Sequence, residues 1–450
     1  MPIAASEPVR PTQLRQVFVY FGLLTLLVYL VEPTNQLMDI ASAYMLKNQL
    51  HSTPEQVAFF RLATAIPVYL AFLFGLARDS WNPLGLRDRG FFLIFALLTA
   101  AVFVWMAMSP LRYAGLIASM LLVMFAFRFV AAAHQGLLAL IGQEKLISGR
   151  LSALWCVISY LPQIAGAFAA GYMAENVTPR ATFLMMALLA VPIAVIFGLW
   201  KPRAVFDHSY ERPQARCTDF SGDISRLVRH RAIYPAVLIM LMFQFSPGSN
   251  TVLQYYLTNE LHASDAIYGY WTGIFLAAFL PVFLLYGRLC QKVPLSKLLL
   301  WGTIIAVPQM LPMVFIHSAA AALWLAIPIG MMGGIIWAAI NDLAMRSCPP
   351  GLQGTLMMAV AGVNALGVRA GDLLGTWIYS QSPTKGFLIC VLATMAMYAL
   401  ILPVLLLIPK PLLATADGQP NPLVEAAVLA EIGELEPAVA GDPAAGGGRR

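Results

Sequence analysis

The 450-residue sequence predicts an all-α membrane protein of about twelve transmembrane helices, arranged as two pseudo-symmetric six-helix bundles. Three observations predict it. The composition is 60% hydrophobic and 11% charged, with mean hydropathy +0.74, whereas a soluble chain has about a quarter of its residues charged. The apolar residues fall in runs long enough for the roughly 20-residue span a bilayer requires. A polar connection, residues 201–232, divides those runs six and six. Such patterning excludes a soluble enzyme, a secreted disulfide scaffold and an outer-membrane barrel, whose strands alternate polar and apolar residues at short range.

In order, the predicted spans lie near residues 16–45, 54–77, 90–109, 113–141, 148–173, 179–200, 233–258, 266–288, 296–316, 320–343, 353–379 and 386–409, each stopped by Pro, Gly or a charge cluster. The first run begins after Arg15, exceeds a signal-peptide core and lacks a nearby small-residue cleavage site, so it is expected to be retained. The implied units are an N-terminal half (1–200), a cytoplasmic linker (201–232), a C-terminal half (233–410) and a tail (411–450). The tail's Ala, Gly, Pro and Glu content predicts disorder, although Leu423–Leu435 could form a short helix.

Basic residues orient the spans. With a cytoplasmic N-terminus, 21 of the 28 Lys and Arg fall inside; Lys47, Arg112, Arg180 and Lys385 fall outside, and Arg61, Arg128 and Arg369 lie within spans. That bias is a positive-inside signal placing both termini in the cytoplasm of a cell, or inner, membrane. The formal charge of +6 therefore records orientation, and no nucleic-acid partner is expected. The five cysteines form no framework: Cys156 and Cys390 sit in apolar runs, and Cys217, Cys290 and Cys348 near cytoplasmic connections, where thiols stay reduced. The six histidines are scattered, and HExxH, GxSxG, Walker and strand-to-helix GxGxxG motifs are all missing. No metal, no cofactor and no enzymatic activity are expected.

An internal repeat supports the division. "VEPTNQL" in the first span and "FSPGSNTVL" in the seventh place Pro33 and Pro247 mid-span, 214 residues apart, with Asn35 and Asn250 close behind. "GLARDS" after the second span is echoed by "YGRLCQK" after the eighth, setting Gly75 and Gly287 212 apart. A shared offset is the mark of a duplicated six-helix unit.

Seven charged residues read as lying at membrane depth, away from the charge clusters at span ends: Glu32, Asp39, Arg61, Arg128, Asp342, Arg369 and Asp372. Each costs about 2.5–3.5 kcal/mol there, and so needs a partner or a function. Glu32 precedes Pro33, which frees a backbone carbonyl one turn back. With Asn35 and Gln36, and with Gln244, Ser246, Ser249, Asn250 and Gln254 around Pro247, two polar breaks can face one cavity. The alternative is a pair of kinks whose polar neighbours only satisfy freed backbone groups. Arg128 lies near the midplane of the fourth span and can grip a carboxylate through two parallel bonds, or form a structural ion pair. Arg61 and Asp39 sit at similar depth and are expected to pair, as are Arg369 and Asp372 at i, i+3. Asp342 and Arg346, at i, i+4, are assigned to a gate or interface. His134 is expected to be a hydrogen-bonded core residue.

The stretch "GLARDSWNPLGLRDRG", Gly75 to Gly90, resembles the G-x-x-x-D-(loop)-G-x-R-x-R signature of the major facilitator superfamily, with Gly75, Asp79, Gly85, Arg87 and Arg89 matching. The resemblance implies that Gly75 permits close packing, that Asp79, Arg87 and Arg89 form an ionic latch between the halves, and that the first and seventh helices line the cavity. Asp88 stands where many members have a third basic residue. More narrowly, "SPGSNTVLQYYLTNELHASDAIYG" (Ser246 to Gly269) and "NDLAMRSCPPGLQGTLMMAVAGVNALG" (Asn341 to Gly367) are similar to the folate-biopterin transporter family.

Together these features predict a secondary active transporter moving a small organic solute by alternating access. No ATP-binding motif occurs, so an ion gradient or the solute's own gradient should drive it. Proton symport is preferred to sodium because buried carboxylates such as Glu32, Asp39 and Asp372 can titrate. If the resemblance extends to substrate, a folate or pterin would stack on Tyr255 and Tyr256 and present its carboxylate to Arg128. The rival expectations are a non-transporting membrane assembly or receptor protein on this scaffold, and a muropeptide-type permease.

Overall fold

The computed structural model describes residues 11–35, 38, 42, 45–206, 225, 227–230, 233–249, 251–381 and 383–419. Among them, ten helical segments are long and apolar enough to cross a membrane. In the first half these are α1 (Pro11–Val31), α4 (Asp88–Met108), α5 (Tyr113–Glu144), α6 (Ser148–Asn176) and α7 (Pro179–Pro192), which runs on through a wide turn, Ile193–Phe197. The second span is broken into α2 (Pro54–Thr64), the single turn Ile66–Tyr69 and α3 (Ala71–Ser80). Pro67 explains the break, because it cannot donate to the carbonyl four residues back.

The second half opens with a span broken into α8 (Ile233–Gln244) and α9 (Thr251–Tyr255) around Pro247. There follow α10 (Asp265–Leu289), α11 (Leu295–Ala306, continued by tight turns to Phe315), α12 (Ala319–Arg346) and α13 (Gln353–Gln381). The last span is α14 (Pro383–Ala399) with α15 (Ile401–Leu405), and a short α16 (Lys410–Ala414) follows it. Three of the helices start at side-chain caps. Thr53 and Gln56 form a capping box before α2, and Thr178 and Ser318 accept from the backbone of Ala181 and Ala321 in α7 and α12.

The halves meet along two seams. α6 packs along α10, and α3 along α13. A six-span offset converts the second span into the eighth and the fifth into the eleventh, so the two seams exchange under the repeat. Both repeat-related glycines lie in them: a Cβ on Gly75 would stand 2.3 Å from the Gly354 carbonyl, and one on Gly287 would stand 3.1 Å from the Ala153 methyl. One continuous buried cluster, including Phe21, Phe127, Leu137, Phe283, Ile340 and Met358, crosses between the halves, while a smaller one around Trp271, Met313 and Phe387 belongs to the second half.

The expectation of a disordered tail from residue 411 is corrected at its start. Residues 411–419 complete α16 and fold back onto the protein, with Leu412 and Asp417 buried. Leu412 supplies the apolar anchor; the polar contacts of Asp417 are described below. Leu423–Leu435 lies outside the described residues.

Backbone approach is closest beside the Pro247 break. A Cβ on Gly371 would lie 2.7 Å from the Ser246 nitrogen, and one on Gly375 would lie 2.1 Å from the Pro247 carbonyl. This i, i+4 glycine stripe on α13 admits the broken helix against it. Gly375→Ala is therefore expected to cost about 1–3 kcal/mol or more, read as a lowered unfolding temperature and loss of monodisperse protein. Gly22→Ala, with open space at its Cβ, should leave both unchanged; equal behaviour of the two variants would contradict the packing.

Candidate functional site

α1 stops at Val31 because Pro33 has no N–H, which leaves the Tyr29 carbonyl without its helical donor. Asn35 repairs this: its Nδ2 donates to the Tyr29 carbonyl at 2.6 Å, and its backbone N–H to the Glu32 carbonyl at 2.9 Å. The break turns Glu32 toward α5, where Arg128 Nη2 donates to its Oε1 at 2.7 Å. The arginine side chain is 4% exposed and the glutamate 18%, so the pair sits at the edge of an accessible space. Arg128 Nε is buried with no partner among the described residues. Two turns along α5, His134 Nε2 meets Thr25 Oγ1 at 2.9 Å, and Tyr29 packs edge-on against His134 and Trp155.

The break around Pro247 is repaired by neighbouring helices. Gly248 N–H donates to Thr394 Oγ1 at 3.1 Å, and Gln244 donates to Asn364 Oδ1 on α13. Asp372 receives the first amide of α9: Thr251 N–H donates to Oδ1 at 3.1 Å, and the Thr251 hydroxyl to Oδ2 at 2.8 Å. A carboxylate is thus set on the positive end of a restarting helix. The expected pairing of Asp372 with Arg369 is not formed. The Thr251 donors face Asp372, while Arg369 is exposed.

The third cluster lies where the two seams reach the ends of α3, α5, α10 and α12. Arg78 is its hub: Nε and Nη2 grip Asp88 at 2.6 and 2.7 Å, and Nη1 reaches Asp79 at 2.8 Å. Gly136 makes room for the guanidinium, since a Cβ there would lie 2.8 Å from Arg78 Cζ. Asp79 crosses to the other half and caps α13, accepting from Gly354 N–H (3.1 Å), Thr355 N–H (2.7 Å) and Thr355 Oγ1 (2.7 Å). Gln143 adds a bridge, donating to the Cys348 carbonyl at 2.8 Å and accepting from Gln353 at 3.1 Å. Nearby, Asp342 is fully buried, held by Arg346 at 2.8 and 3.0 Å and by the Tyr286 hydroxyl at 3.0 Å.

The Major Facilitator Superfamily profile matches residues 17–371 and, in a second overlapping match, 237–435. The chain belongs to this superfamily. Among its relatives, the "Folate-biopterin transporter" of Synechocystis sp. is 23% identical over 411 residues, covering 85% of this chain and 80% of the relative. "Folate transporter 2" of Plasmodium falciparum is 19% identical over 381 residues, covering 82% and 81%. The solved structure of FucP, a superfamily transporter in the outward conformation, superposes with TM-score 0.64 at 15% identity, covering 87% of this chain and 99% of FucP. The protein is accordingly a multi-pass membrane transporter of small solutes, not an enzyme.

Within this superfamily fold, the residues singled out from sequence separate into groups. Glu32 and Arg128 meet. Asn35, Gln244 and Asp372 are committed largely to repairing the two breaks. Gln254 and Tyr255 are exposed, whereas Tyr256, expected to stack on a solute, stacks on Phe387 at 4.0 Å and donates its hydroxyl to the Ile316 carbonyl. Gln36, Asp39 and Asn250 lie outside the described residues, and with Asp39 goes its expected pairing with Arg61. Of the signature residues, Gly75 and Asp79 face the other half, but Arg89 donates to the Leu199 carbonyl at 3.0 Å within its own half. Arg87 immediately precedes α4, with φ +55°, and its backbone N–H donates to Asn82 Oδ1 at 2.6 Å.

Sequence reasoning missed Arg78 and Asp417. The signal for Arg78 was present: Asp88, out of place as a basic position, is its counter-ion. Asp417 accepts from Gly149 N–H at 2.9 Å and Arg150 Nε at 2.5 Å. Burial pushes its carboxyl above its ordinary value, Asp342 adds to this, and Arg150 opposes it.

Removing one member of the Glu32–Arg128 pair strands the other. Arg128→Gln should cost about 3 kcal/mol, the low end for a buried pair because Glu32 keeps 18% exposure, whereas the double variant Glu32→Gln/Arg128→Gln should recover most of that. A double-mutant cycle on thermal unfolding measures the coupling, and additive losses would show that the contact is inconsequential.

Proposed function

We propose that the protein is a secondary active transporter in which the halves 1–200 and 233–410, joined by the 201–232 linker, rock about the Glu32–Arg128 pair to move a carboxylate-bearing solute of the folate or pterin class with protons. The observation that carries this reading is a guanidinium held at a helix break by a single carboxylate, with its Nε bare among the described residues. A solute carboxylate can displace Glu32 from Arg128, and the displaced Glu32, no longer stabilised by positive charge, takes up a proton. Solute and proton then load together, which is symport. The relatives named as folate-biopterin and folate transporters support the substrate class.

The bias of basic residues supports a cytoplasmic location for both termini and for the Arg78 cluster, with the chain in the cell, or inner, membrane. On that assignment the described conformation is shut toward the cytoplasm, and Asp79, Asp342 and Arg346 belong to the gate. Asp372 would be a second proton acceptor, since its protonation weakens its hold on α9.

The test is uptake into proteoliposomes with the external side acidified. Labelled folate or pterin should accumulate above its equilibrium level, collapse of the gradient should abolish accumulation, and Arg128→Ala should reduce uptake at least about tenfold, the scale of one lost charge-assisted hydrogen bond. Glu32→Gln should retain exchange but lose its response to pH. No uptake of either solute, or full transport by Arg128→Ala, would sink the proposal.

A further inference from the structure

The two seams are related by the repeat, yet their polar closures differ. In the first, Asp79 at the end of α3 caps the start of α13 in the opposite half. The equivalent closure would have an acid at the end of α10 capping the start of α6. The offset of 212 that relates Gly75 to Gly287 carries Asp79 onto Gln291, which is uncharged and donates to the Gly287 carbonyl at 2.8 Å. The start of α6 is capped all the same. Gly149 N–H donates to Asp417 Oδ1 at 2.9 Å, and Arg150 Nε to Oδ2 at 2.5 Å. The missing acid therefore comes from beyond the last span, and it is delivered next to the position that lacks it: Asp417 N–H bonds the carbonyl of Cys290, the neighbour of Gln291, at 2.9 Å.

The surrounding residues belong to both halves. Arg346 Nη1 of α12 donates to the Thr415 carbonyl at 2.7 Å and to its hydroxyl at 3.2 Å, while Gly418 N–H bonds the Leu146 carbonyl of the first half at 2.7 Å. Leu146 adopts φ +54°, a left-handed turn between α5 and α6. The Asp417 side chain is fully buried. Its backbone is bound to one half and its carboxylate to the other, so the halves cannot separate here while Asp417 keeps both sets of bonds.

We propose that residues 415–419 form a strap that completes the second seam, holds this end of the transporter shut and must undock each time the end opens. The proposal rests on the alternating-access reading above. Undocking is feasible because Asp417 and Arg150 both pass into water as they part, so solvation replaces the broken bonds. Asp417 is a positioning residue: it touches no solute and acts on the gate by joining α6 to α10.

Two native thiols report the two events separately. Cys290, 1% exposed, lies under the strap, whereas Cys348, 2% exposed, lies in the first seam, where its carbonyl accepts from Gln143. The full chain in lipid nanodiscs is treated with N-ethylmaleimide, and labelling at each cysteine is followed by peptide mass spectrometry. Asp417→Ala should accelerate labelling of Cys290 and Cys348 together, by about tenfold or more, with Cys156, fully buried within α6, unchanged as a control on the fold. Arg150→Gln, which spares the strap sequence, should give the same pattern at smaller amplitude. Acceleration at Cys290 alone would mean that the strap undocks without opening the gate, and no acceleration at either would mean that it holds nothing; each overturns the proposal. If Asp417→Ala does not fold, Asp417→Asn with Arg150→Gln decides the matter by the same criterion. The readout needs no solute, so failure of uptake and failure of the strap are distinguishable.

Discussion

Three carboxylates each sit on the free amides of a helix to which they do not belong: Asp79 on α13, Asp372 on α9 and Asp417 on α6. The first turn of any helix leaves amides without partners, and wherever water is excluded the protein must supply the acceptor. A side-chain acid answers both the hydrogen-bonding demand and the positive end of the helix dipole. It also joins two segments by contacts that can be broken and re-formed without rearranging either one. Two of the three acids cross between halves, which makes the termini of α13 and α6 the points where the bodies are tied.

The same backbone constraint governs the interior. Pro33 and Pro247 each remove a donor from a helix in the middle of the membrane, and the molecule compensates locally, with Asn35 at the first break and with Thr394, Asn364 and Asp372 around the second. Polar side chains near a break are thus mostly committed before any solute arrives. Among the described residues the Glu32–Arg128 pair stands apart, because its charged groups are bound to each other across the first break. An ion pair of this kind carries more chemistry than structure, because each member offers the other a partner that a solute or a proton can replace.

Much of this was legible in the chain. Hydropathy, the six-and-six division and the common offset of the repeat located the spans, and Glu32 and Arg128 stood out because charge is expensive at their depth. Spacing along one helix was a poor guide to pairing. Arg369 and Asp372 share a helix and are close in sequence, but the competing donors of Thr251 come from a neighbouring helix, and periodicity holds no information about neighbours. Tyr256 misled for a similar reason, since an aromatic suited to a solute is equally suited to Phe387. Asp417 was hidden by composition: it lies in a stretch of small and polar residues, and only its place on the first amides of α6, visible in three dimensions, gives it a purpose. Asp88 was noticed as a departure from a pattern, and its meaning required Arg78 to be seen between two acids.

The glycine stripe of α13 has a mechanical corollary. Where Gly371 and Gly375 lie against Ser246 and Pro247, backbone rests on backbone, with no side chains interlocked between them. Ordinary helix contacts mesh like gears, and sliding them requires rotamers to jump in sequence. A surface without teeth behaves as a plain bearing: it resists separation, because any gap forfeits close contact along its length, but offers little friction to lateral slip. The fractured seventh span is therefore held against α13 by fit, and its position along that helix is fixed by two polar ties, Thr251 to Asp372 and Gln244 to Asn364.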